Sequence, residues 1–474
     1  MTTPPALPKP APSRWLPLLL AVAIFMQMLD TTILNTALPK MALDLNESPL
    51  NMQSAVIAYA LTLALLIPLS GYLADRFGTR SVFIASMGIF VLGSILCAAA
   101  PNLSMLLVAR VIQGIGGSML VPVPRLTLLR VYDKSQLLNA INYAVMPALI
   151  GPVLGPLVGG YLVDYASWHW IFLINVPIGI AGMVFAFKVM PDLKGEGKEH
   201  FDVVGFLLFA AAACSLSLSV EIVTHPGTRF FAMLMALSGA AALWLYWQHA
   251  KRDDAPLYAR NLFQVRTFRL GLAGNLFSRL GISSVPFLLP LLFQLAFGFS
   301  ASLSGWLLAP IAIASILVKP LIKPLMGYFG YRRVLVANTR LLGCLIMCLA
   351  IPSAHTPLWL WAALLFVVGM GNSLQFSAMN TLTVADLRSF QTGSGNSLMA
   401  VNQQLAMSFG IALGALILQF LSQSSIATDN LHTAFRYTFV LVGLLTFASS
   451  WVFARLHPHD GDNLVHKVAD DHPA

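Results

Sequence analysis

Repeated apolar runs constrain this chain more than any other feature of its sequence. Runs of about 18 residues or more, each long enough to cross the roughly 30 Å hydrocarbon core of a bilayer, recur from residue 15 to residue 456. Charged residues make up only 10% of the chain, whereas a soluble domain carries about 25%. The sequence therefore predicts an all-α, multi-pass membrane protein with no sizeable soluble domain.

Charged, glycine and proline clusters separate these runs into fourteen predicted membrane helices. The predicted spans are 15–39, 52–74, 81–100, 103–124, 137–162, 169–189, 203–222, 229–250, 268–297, 302–327, 334–352, 357–379, 396–421 and 434–456. With the N-terminus placed inside, only Lys40, Arg229 and Arg436 fall in outer loops, and most other Lys and Arg fall in inner loops and tails. This asymmetry follows the positive-inside rule, so both termini are predicted to be cytoplasmic.

A short internal repeat indicates how the spans are organised. Residues 76–82, RFGTRSV, follow the second span, and residues 328–334, YFGYRRV, follow the tenth. A parallel duplication would pair the first six spans with the last six, and such repeats place the substrate site between the halves near the midplane. The predicted division is an N-terminal tail (1–14), a first six-helix bundle (15–190), a linker (191–202), two inserted helices (203–250), a second linker (251–267), a second six-helix bundle (268–456) and a C-terminal tail (457–474).

Asp30 is the only charge between Trp15 and Leu38, inside the first span. A carboxylate at this depth costs on the order of 2.5 to 3.5 kcal/mol on insertion scales, so we expect it to face the protein interior or a water-filled cavity and to mark a proton or ion path. Arg110 in the fourth span lies at a similar predicted depth, since both residues sit ~12–14 Å below the outer surface at ~1.5 Å per residue.

The pairing of Asp30 with Arg110 predicts a proton-coupling site. A nearby guanidinium favours the charged carboxylate, and desolvation favours the neutral one. A conformational change that alters either effect would let Asp30 bind and release a proton. The alternative is a static ion pair that only fixes helix packing.

The fifth span has glycine at every fourth position, at Gly151, Gly155 and Gly159. This spacing removes side chains from one helix face and allows a neighbouring helix to approach closely. Pro152 and Pro156 each remove a backbone hydrogen bond and are expected to bend the helix. The alternative is ordinary packing of small residues.

Four stretches of the N-terminal half, read in order, resemble the signatures of the drug:proton antiporters of the major facilitator superfamily, specifically its fourteen-span branch. They are LDTTILNTALP (29–39), GYLADRFGTR (71–80), RVIQGIGG (110–117) and GPVLGPLVGG (151–160). SWHWIFLINVPIG (167–179) and SGNS (394–397) are similar in particular to the MdtD-type multidrug exporters of the bacterial inner membrane. The resemblance covers the whole chain and implies the major facilitator fold, with two pseudo-symmetric six-helix bundles around a central cavity.

The resemblance also implies roles for two motifs. The antiporter motif is the element expected to keep the exporter from leaking as it rocks, and it comprises Gly151, Pro152, Gly155, Pro156, Gly159 and Gly160. A conformational latch is expected to hold the two halves in one state, with the carboxylate against a helix N-terminus of the second half, and it comprises Gly71, Asp75, Arg76, Gly78 and Arg80. Thr79 stands where the family usually has a basic residue, and Gly327 stands at the second copy of Asp75. A basic turn that only sets topology would account for the two arginines equally well.

Other polar residues within spans are candidates for the substrate cavity. Arg279 has no easy route to the membrane surface and is expected to face the cavity or to be paired. Lys319 is expected either to extend to the headgroups or to bind an anionic substrate. Asn35 and Gln113 could orient a ligand or only tie helices together.

Several classes of function lack their usual parts in this sequence. No GxxxxGK[ST], HExxH, GxSxG or CxxC motif occurs, so an ATP-driven pump, a hydrolase or an oxidoreductase is not expected. The net charge of +9 belongs to loops and does not predict nucleic-acid binding. No cofactor and no metal site are predicted, because the cysteines fall inside spans and the histidines of the C-terminal tail are irregularly spaced.

The predicted function is proton-coupled efflux of lipophilic, often cationic compounds from the cytoplasm by alternating access, in a monomer of the bacterial inner membrane. One alternative is export of a specific endogenous amphiphilic or anionic metabolite, which Arg279 and Lys319 would suit better. Another is a sensor or scaffold of the same fold that no longer transports.

Overall fold

The computed structural model describes residues 15–132, 136, 140, 143–144, 150–195, 201–223, 227–388, 391–424 and 430–464. The predicted N-terminal tail, most of the first half of the span at 137–162, the middle of the linker at 191–202 and the end of the C-terminal tail lie outside the described residues.

The chain folds into helices, and no β-strand occurs in the described ranges. The helices of the first half are α1 (Leu16–Asp44), α2 (Gln53–Leu66), α3 (Leu69–Phe77), α4 (Thr79–Ala98), α5 (Leu103–Leu120), α6 (Pro122–Val131), α7 (Gly151–Tyr165), α8 (Trp170–Leu173) and α9 (Asn175–Val189). Two further helices follow, α10 (Val203–Ile222) and α11 (Arg229–Arg252). The helices of the second half are α12 (Arg266–Ile282), α13 (Val285–Leu291), α14 (Ala301–Leu317), α15 (Lys319–Phe329), α16 (Tyr331–Cys348), α17 (Leu358–Val384), α18 (Thr392–Ser422) and α19 (Leu431–Ala454).

Within the described residues, ten helical segments are long and apolar enough to cross a membrane, or twelve when each of two bent pairs is taken as one span. The other two predicted spans correspond to α7 and to α16. The residues just before α7 are not described, and α16 carries Arg332, Arg333 and Arg340 within its 18 residues. The all-helical fold is confirmed, and the count of fourteen spans stays a prediction.

The second and tenth spans are both bent, by 60° between α2 and α3 and by 55° between α14 and α15. Pro68 and Pro320 lie at the breaks. Proline interrupts a helix there because it has no N–H to continue the helical hydrogen bonding. Each bent span ends at a glycine with positive φ, Gly78 at 97° and Gly330 at 78°, a conformation that glycine adopts at little cost. The sequence repeat thus has a structural counterpart at equivalent places in the two halves.

Two helix pairs make the main contact between the halves. Helix α7 packs against α14, and α2 packs against α18. Helix α1 also reaches α13, and one buried apolar cluster contains Ile33 and Leu34 of α1 together with Phe287 and Leu288 of α13. The boundary between the halves therefore runs through the centre of the molecule.

Helices α10 and α11 pack on each other at the side of this pair of bundles, and α10 also contacts α18. In the most apolar stretch of each helix, only 22% of the residues of α10 and 17% of those of α11 are buried. Such exposure suits helices that face lipid. At the end of these helices that is predicted to be cytoplasmic, the Asp202 carboxylate accepts hydrogen bonds from the backbone N–H groups of Gly205 at 2.7 Å and Leu257 at 2.9 Å, and it contacts His249 Nε2 at 2.7 Å. Burial alone would raise the pKa of Asp202, but these hydrogen bonds outweigh it and hold the pKa below its ordinary value.

Candidate functional site

An ion pair lies at the centre of the first half. Arg110 Nη1 of α5 donates to Asp30 Oδ2 of α1 at 2.8 Å, and both side chains are 1% exposed. The structure therefore brings together the two charges that the sequence places at one depth. A pair removed this completely from water needs further hydrogen bonds to offset the loss of hydration.

Polar side chains from two other spans complete the hydrogen bonding of this pair. Gln113 Nε2 donates to Asp30 Oδ1 at 2.8 Å, and Gln113 Oε1 accepts from Arg110 Nη1 at 2.6 Å. Asn175 Nδ2 of α9 donates to Asp30 Oδ1 at 3.2 Å, and Gln113 Nε2 also contacts Ser94 Oγ of α4 at 2.8 Å. Three donors around one carboxylate suit its ionised form.

Gln113 is fully buried in this network, where it ties α5 to α1 and α4; a role in the substrate cavity stays a prediction. The amide faces the ion pair because it lies one helical turn from Arg110 on the same face of α5. Asn175 could have been expected from the sequence, since it is an amide within an apolar span. The sequence carries no comparable signal for Ser94, because small hydroxyl residues are common in membrane helices.

Backbone and aromatic groups hold the guanidinium of Arg110 from its other sides. Its Nε donates to the carbonyl oxygen of Ala55 at 3.1 Å. The guanidinium carbon lies 4.3 Å from the ring centroid of Tyr59 and 5.9 Å from that of Phe172, within the range of cation–π attraction. Any movement of α5 relative to α2 or α8 therefore changes the surroundings of the pair.

Glycines of α7 allow close contact with α1. A Cβ added at Gly155 would clash with Thr32 Oγ1, and a Cβ at Gly159 would clash with Thr36 Oγ1 and the carbonyl oxygen of Ile33. Gly151 of α7 lies against Met28 of α1. These contacts place the close approach expected of the glycine face between the first and fifth spans. Pro156 lies inside α7, and Pro152 lies in its first described turn; the bend they were expected to cause stays a prediction.

A second close contact joins α7 to the other half. A Cβ at Gly160 would clash with the carbonyl oxygen of Ala301 in α14, and a Cβ at Gly305 of α14 would clash with the carbonyl oxygen of Pro156. The antiporter motif therefore contacts both halves, which the four-residue glycine spacing alone does not reveal.

Hydrogen bonds between the halves also cluster at the side predicted to be external. Asp164 at the end of α7 accepts from the backbone N–H groups of Ala301 at 3.3 Å and Ser302 at 2.8 Å, at the N-terminus of α14. Gln294 Nε2 donates to the carbonyl oxygen of Thr36 at 2.9 Å, and Trp306 Nε1 contacts Tyr161 OH at 3.3 Å. Among the described residues, the halves share no hydrogen bond at their inner ends. This arrangement is closed on the side that is predicted to be external.

The latch residues contact only the first half and its linker in this conformation. Asp75 pairs with Arg130 at the end of α6, and its carbonyl oxygen accepts from Gly195 N at 3.1 Å. Arg76 Nη1 donates to Tyr72 OH at 2.6 Å. The expected contact of Asp75 with a helix end of the second half is not formed in this conformation, because no hydrogen bond joins the halves at the ends where Asp75 lies.

Asp192 of the linker holds the turn of the same motif. Its carboxylate lies against Gly78, where a Cβ would clash with it, and it accepts from the backbone N–H of Arg80 at 3.1 Å. The Arg80 guanidinium lies 5.6 Å from the ring of Phe187 in α9. Open space surrounds the position of a Cβ at Gly71.

The remaining cavity candidates lie apart from the ion pair. Arg279 Nε of α12 donates to Asn275 Oδ1 at 2.8 Å, and its guanidinium carbon lies 5.1 Å from the ring centroid of Phe376 in α17. Lys319 is exposed at the first turn of α15. Asn35 of α1 is half-buried, and its Oδ1 finds no hydrogen-bond partner among the described residues.

One group of potential metal ligands occurs in the described part of the chain. The ligand atoms of Asp202, His249 and Asp253 lie within 4.8 Å of one another. Asp202 already accepts two backbone hydrogen bonds, so its oxygens are largely engaged in joining α10, α11 and the second linker. The group lies at the inner end of the inserted helices and not at the ion pair.

The chain is similar to known proteins over most of its length. The family model described as Major Facilitator Superfamily matches residues 20–406 and 271–470. A Haemophilus influenzae protein named "Probable transport protein HsrA" is 44% identical over 94% of this chain and 96% of its own length. A Pectobacterium atrosepticum protein named "Putative multidrug resistance protein MdtD" is 41% identical over 95% of this chain and 97% of its own length.

Solved structures share the fold at low sequence identity. An auto-inhibited peptide transporter of the POT family matches with a TM-score of 0.69 at 14% identity, over 98% of this chain and 99% of its own. A D-xylose-proton symporter matches with a TM-score of 0.66 at 14% identity, over 93% of this chain and 97% of its own. Together with the helical architecture and the match over most of its length, these similarities show that the chain belongs to the Major Facilitator Superfamily and is an MdtD-type member of it.

Proposed function

We propose that this protein exports small molecules across the bacterial inner membrane in exchange for protons, by alternating access of its two halves. The observation that carries the proposal is the buried pair of Asp30 and Arg110 in a transporter of this superfamily. An ionisable residue at this depth is expensive to keep and is by default a functional site. The name of the Pectobacterium relative supports multidrug efflux as the physiological role.

Asp30 is the proposed proton-binding group. In the closed-outside conformation it accepts hydrogen bonds from Arg110, Gln113 and Asn175, which together favour the ionised carboxylate. Those donors come from α5 and α9, whereas Asp30 belongs to α1. A rearrangement that separates α1 from these helices would leave a desolvated carboxylate with fewer donors, and such a group takes up a proton.

The contacts between the halves support a rocking mechanism. Opening of the outer side would break the hydrogen bonds of Asp164 with α14 and separate Gly160 from Ala301. Closure of the inner side would bring Asp75 toward the second half, where the proposed latch would form in place of or beside its contact with Arg130. If the pair of Asp30 and Arg110 only fixed helix packing, these movements would not change the protonation of Asp30.

The test is proton flux in acid-loaded proteoliposomes that contain a luminal pH dye. Lipophilic cations, neutral drugs and anionic metabolites are added in turn to the wild type and to Asp30→Asn. We expect one charge class to trigger flux in the wild type and none to do so in the variant, with normal expression and a monodisperse protein. Flux that persists in Asp30→Asn would sink the coupling proposal.

A matched control is available in the same helix. Asp44 lies at the outer end of α1, where it pairs with Lys40 at 2.9 Å and accepts from Trp168 Nε1 at 3.0 Å. Asp44→Asn makes the same chemical change outside the proposed site and should retain flux. A wild type that responds to no compound while it binds one would favour the sensor alternative over transport.

A second candidate function is export of an endogenous anionic metabolite. It is favoured by the positive charge of Arg279, which has no carboxylate within its half of the membrane domain. The same panel separates the two candidates, because a narrow anion exporter would ignore lipophilic cations.

A further inference from the structure

We propose that Arg279 and Asn275 form a binding site in the second half for a carboxylate of the transported molecule. The proposal rests on the transport function proposed above and specifies its substrate class as amphiphilic organic anions. It follows from the charge balance of the second half, from an unused buried donor and from the face on which both residues lie.

Arg279 lies deep in the membrane domain. It falls in the fourth turn of α12, ~20 Å from the inner end of that helix at ~1.5 Å per residue. It is half-buried, with Nε bonded to Asn275 Oδ1 at 2.8 Å. A guanidinium at this depth remains charged, so it requires a counter-ion or a water-filled cavity.

Among the described residues, no carboxylate forms an ion pair with Arg279. Between residues 268 and 456 the only acidic residues are Asp386 and Asp429, and both fall outside the predicted spans. Asp386 lies at the inner end, where it accepts from Thr267 Oγ1 at 2.8 Å. In the first half, the one mid-span carboxylate is already bonded to Arg110. Water in a cavity would hydrate the guanidinium when the site is empty, and an anionic molecule that enters the site would be its counter-ion.

Asn275 provides a second donor at the same place. Its side chain is fully buried, and its Nδ2 has no acceptor among the described residues. Buried donors are almost always satisfied in folded proteins, and each exception needs a specific reason. The free N–H groups of Arg279 and the free Nδ2 of Asn275 together present donors without acceptors, which is the complement of a carboxylate.

The site lies on α12, which connects to the boundary between the halves through α18. Leu272 and Arg279 are seven residues apart and share one face of α12, and the carbonyl oxygen of Leu272 accepts from Asn402 of α18 at 3.1 Å. Helix α18 packs against α2 of the first half. Transporters built from such repeats hold substrate at this boundary.

Phe376 indicates the remainder of the ligand. Its ring lies 5.1 Å from the guanidinium carbon of Arg279, and the side chain is 45% exposed. An aromatic surface beside a cation accommodates an apolar group next to the anionic one. The site therefore fits a carboxylate attached to a flat or lipophilic body better than a small inorganic anion or a lipophilic cation.

The test measures binding of three probes that share a naphthalene ring and carry an anionic, a neutral or a cationic substituent: 2-naphthoate, its carboxamide and the trimethylammonium analogue. Calorimetric titration of the purified protein is expected to show tightest binding of naphthoate. Arg279→Gln should weaken naphthoate binding about tenfold or more, since hydrogen bonds to charged groups are the strong ones. Arg279→Lys should restore part of the loss, and the other two probes should respond little to either variant.

Arg340→Gln is the matched control. Arg340 is also an intramembrane arginine of the second half, but its Nε contacts Ser450 Oγ at 3.3 Å and it lines a separate cavity of about 700 Å³ at the inner side. Naphthoate binding should be unchanged in this variant. Monodispersity and thermal unfolding of every variant show whether it is folded.

Three outcomes would overturn the proposal: equal or absent binding of the three probes, tighter binding of the ammonium probe, or unchanged naphthoate binding in Arg279→Gln. Asp30→Asn distinguishes this failure from failure of the transport proposal. Naphthoate should still bind to Asp30→Asn although proton flux is lost. Binding without flux in the wild type would leave the site intact and reject proton-coupled export.

Discussion

The first helix of each half carries one mid-span charge, and the two halves surround that charge in opposite ways. Asp30 of α1 is enclosed by an arginine and two amides and is 1% exposed. Arg279 of α12 is half-buried and bonds to one amide of its own helix. The charge of the first half is therefore enclosed in a protein network, whereas the charge of the second half has no carboxylate partner among the described residues.

The fourth membrane span of each half, α5 in the first and α17 in the second, carries a glutamine that bridges two helices. Gln113 of α5 links Asp30 to Ser94 of the neighbouring helix α4. Gln375 of α17 accepts from Asn338 Nδ2 at 2.9 Å and donates to Thr339 Oγ1 at 2.8 Å, both in the neighbouring helix α16. An amide bridge occurs in both halves, but only the first half has added charges to it. If both proposals hold, proton coupling and substrate recognition are divided between two copies of one scaffold.

The largest expected difference between the halves is the cost of losing each arginine. Arg110→Ala leaves Asp30 buried without its counter-ion, so the free energy of unfolding should fall by about 3–5 kcal/mol. Arg279→Ala removes a charge that has no protein counter-ion, and stability should stay within about 1 kcal/mol of the wild type. Thermal unfolding in detergent measures both. Equal losses of stability in the two variants would show that the halves do not hold their arginines differently.

The amide bridges should differ by a smaller amount. Gln113→Leu removes a hydrogen bond to a charged carboxylate and should cost about 1.5–3 kcal/mol, whereas Gln375→Leu removes neutral hydrogen bonds worth about 1 kcal/mol. Chemical unfolding of the two single variants gives the difference. A greater loss in Gln375→Leu would mean that the second network is the more important one.

The glycine contacts should behave alike in the two halves. Gly155 of α7 lies against Thr32 of α1, and Gly410 of α18 lies against the carbonyl oxygens of Arg279 and Leu280 in α12. Gly155→Leu and Gly410→Leu should each cost about 1–3 kcal/mol through overpacking, and Gly155→Leu should also block or uncouple export. Gly393→Leu is the control, because open space surrounds the Cβ position there. Normal export by Gly155→Leu would contradict the role of the seam.

The smallest effect is expected at the contact between the halves. Asp164→Ala removes an acceptor from the N-terminus of α14, which is worth about 1 kcal/mol and should shift the population toward the outward-open form about fivefold. Spin labels at the outer ends of α7 and α14 report this shift as a longer distance in pulsed electron resonance. An unchanged distance distribution would show that Asp164 does not hold the outer side closed.

Sequence reasoning predicted the helical elements well, because their apolar periodicity and charged boundaries are local properties. Predicted depth was enough to bring Asp30 and Arg110 to one level, since a bilayer ties position along a helix to height. The glycine spacing of α7 identified a close contact, and the structure shows that its main partner is α1. Each of these predictions could be made from the sequence of one helix at a time.

Features that depend on helix rotation or on conformation could not be predicted in the same way. Gln113 was expected either to orient a ligand or to tie helices together, and only its rotation about α5, which directs it toward Asp30, shows that it ties helices. Asp75 was expected to contact the second half, yet in the closed-outside form its partner is Arg130. Depth does not determine direction, and one sequence serves several conformations with different partners.

The contact made by Asp164 has a consequence for how this protein tolerates mutation. Its partners are main-chain N–H groups of Ala301 and Ser302, which nearly every side-chain replacement at those two positions would retain. Only proline would remove such a donor. Replacements at the start of α14 that still fit against Gly160 therefore keep this connection, whereas most replacements of Asp164 remove it, so selection on these hydrogen bonds is expected to act mainly on Asp164.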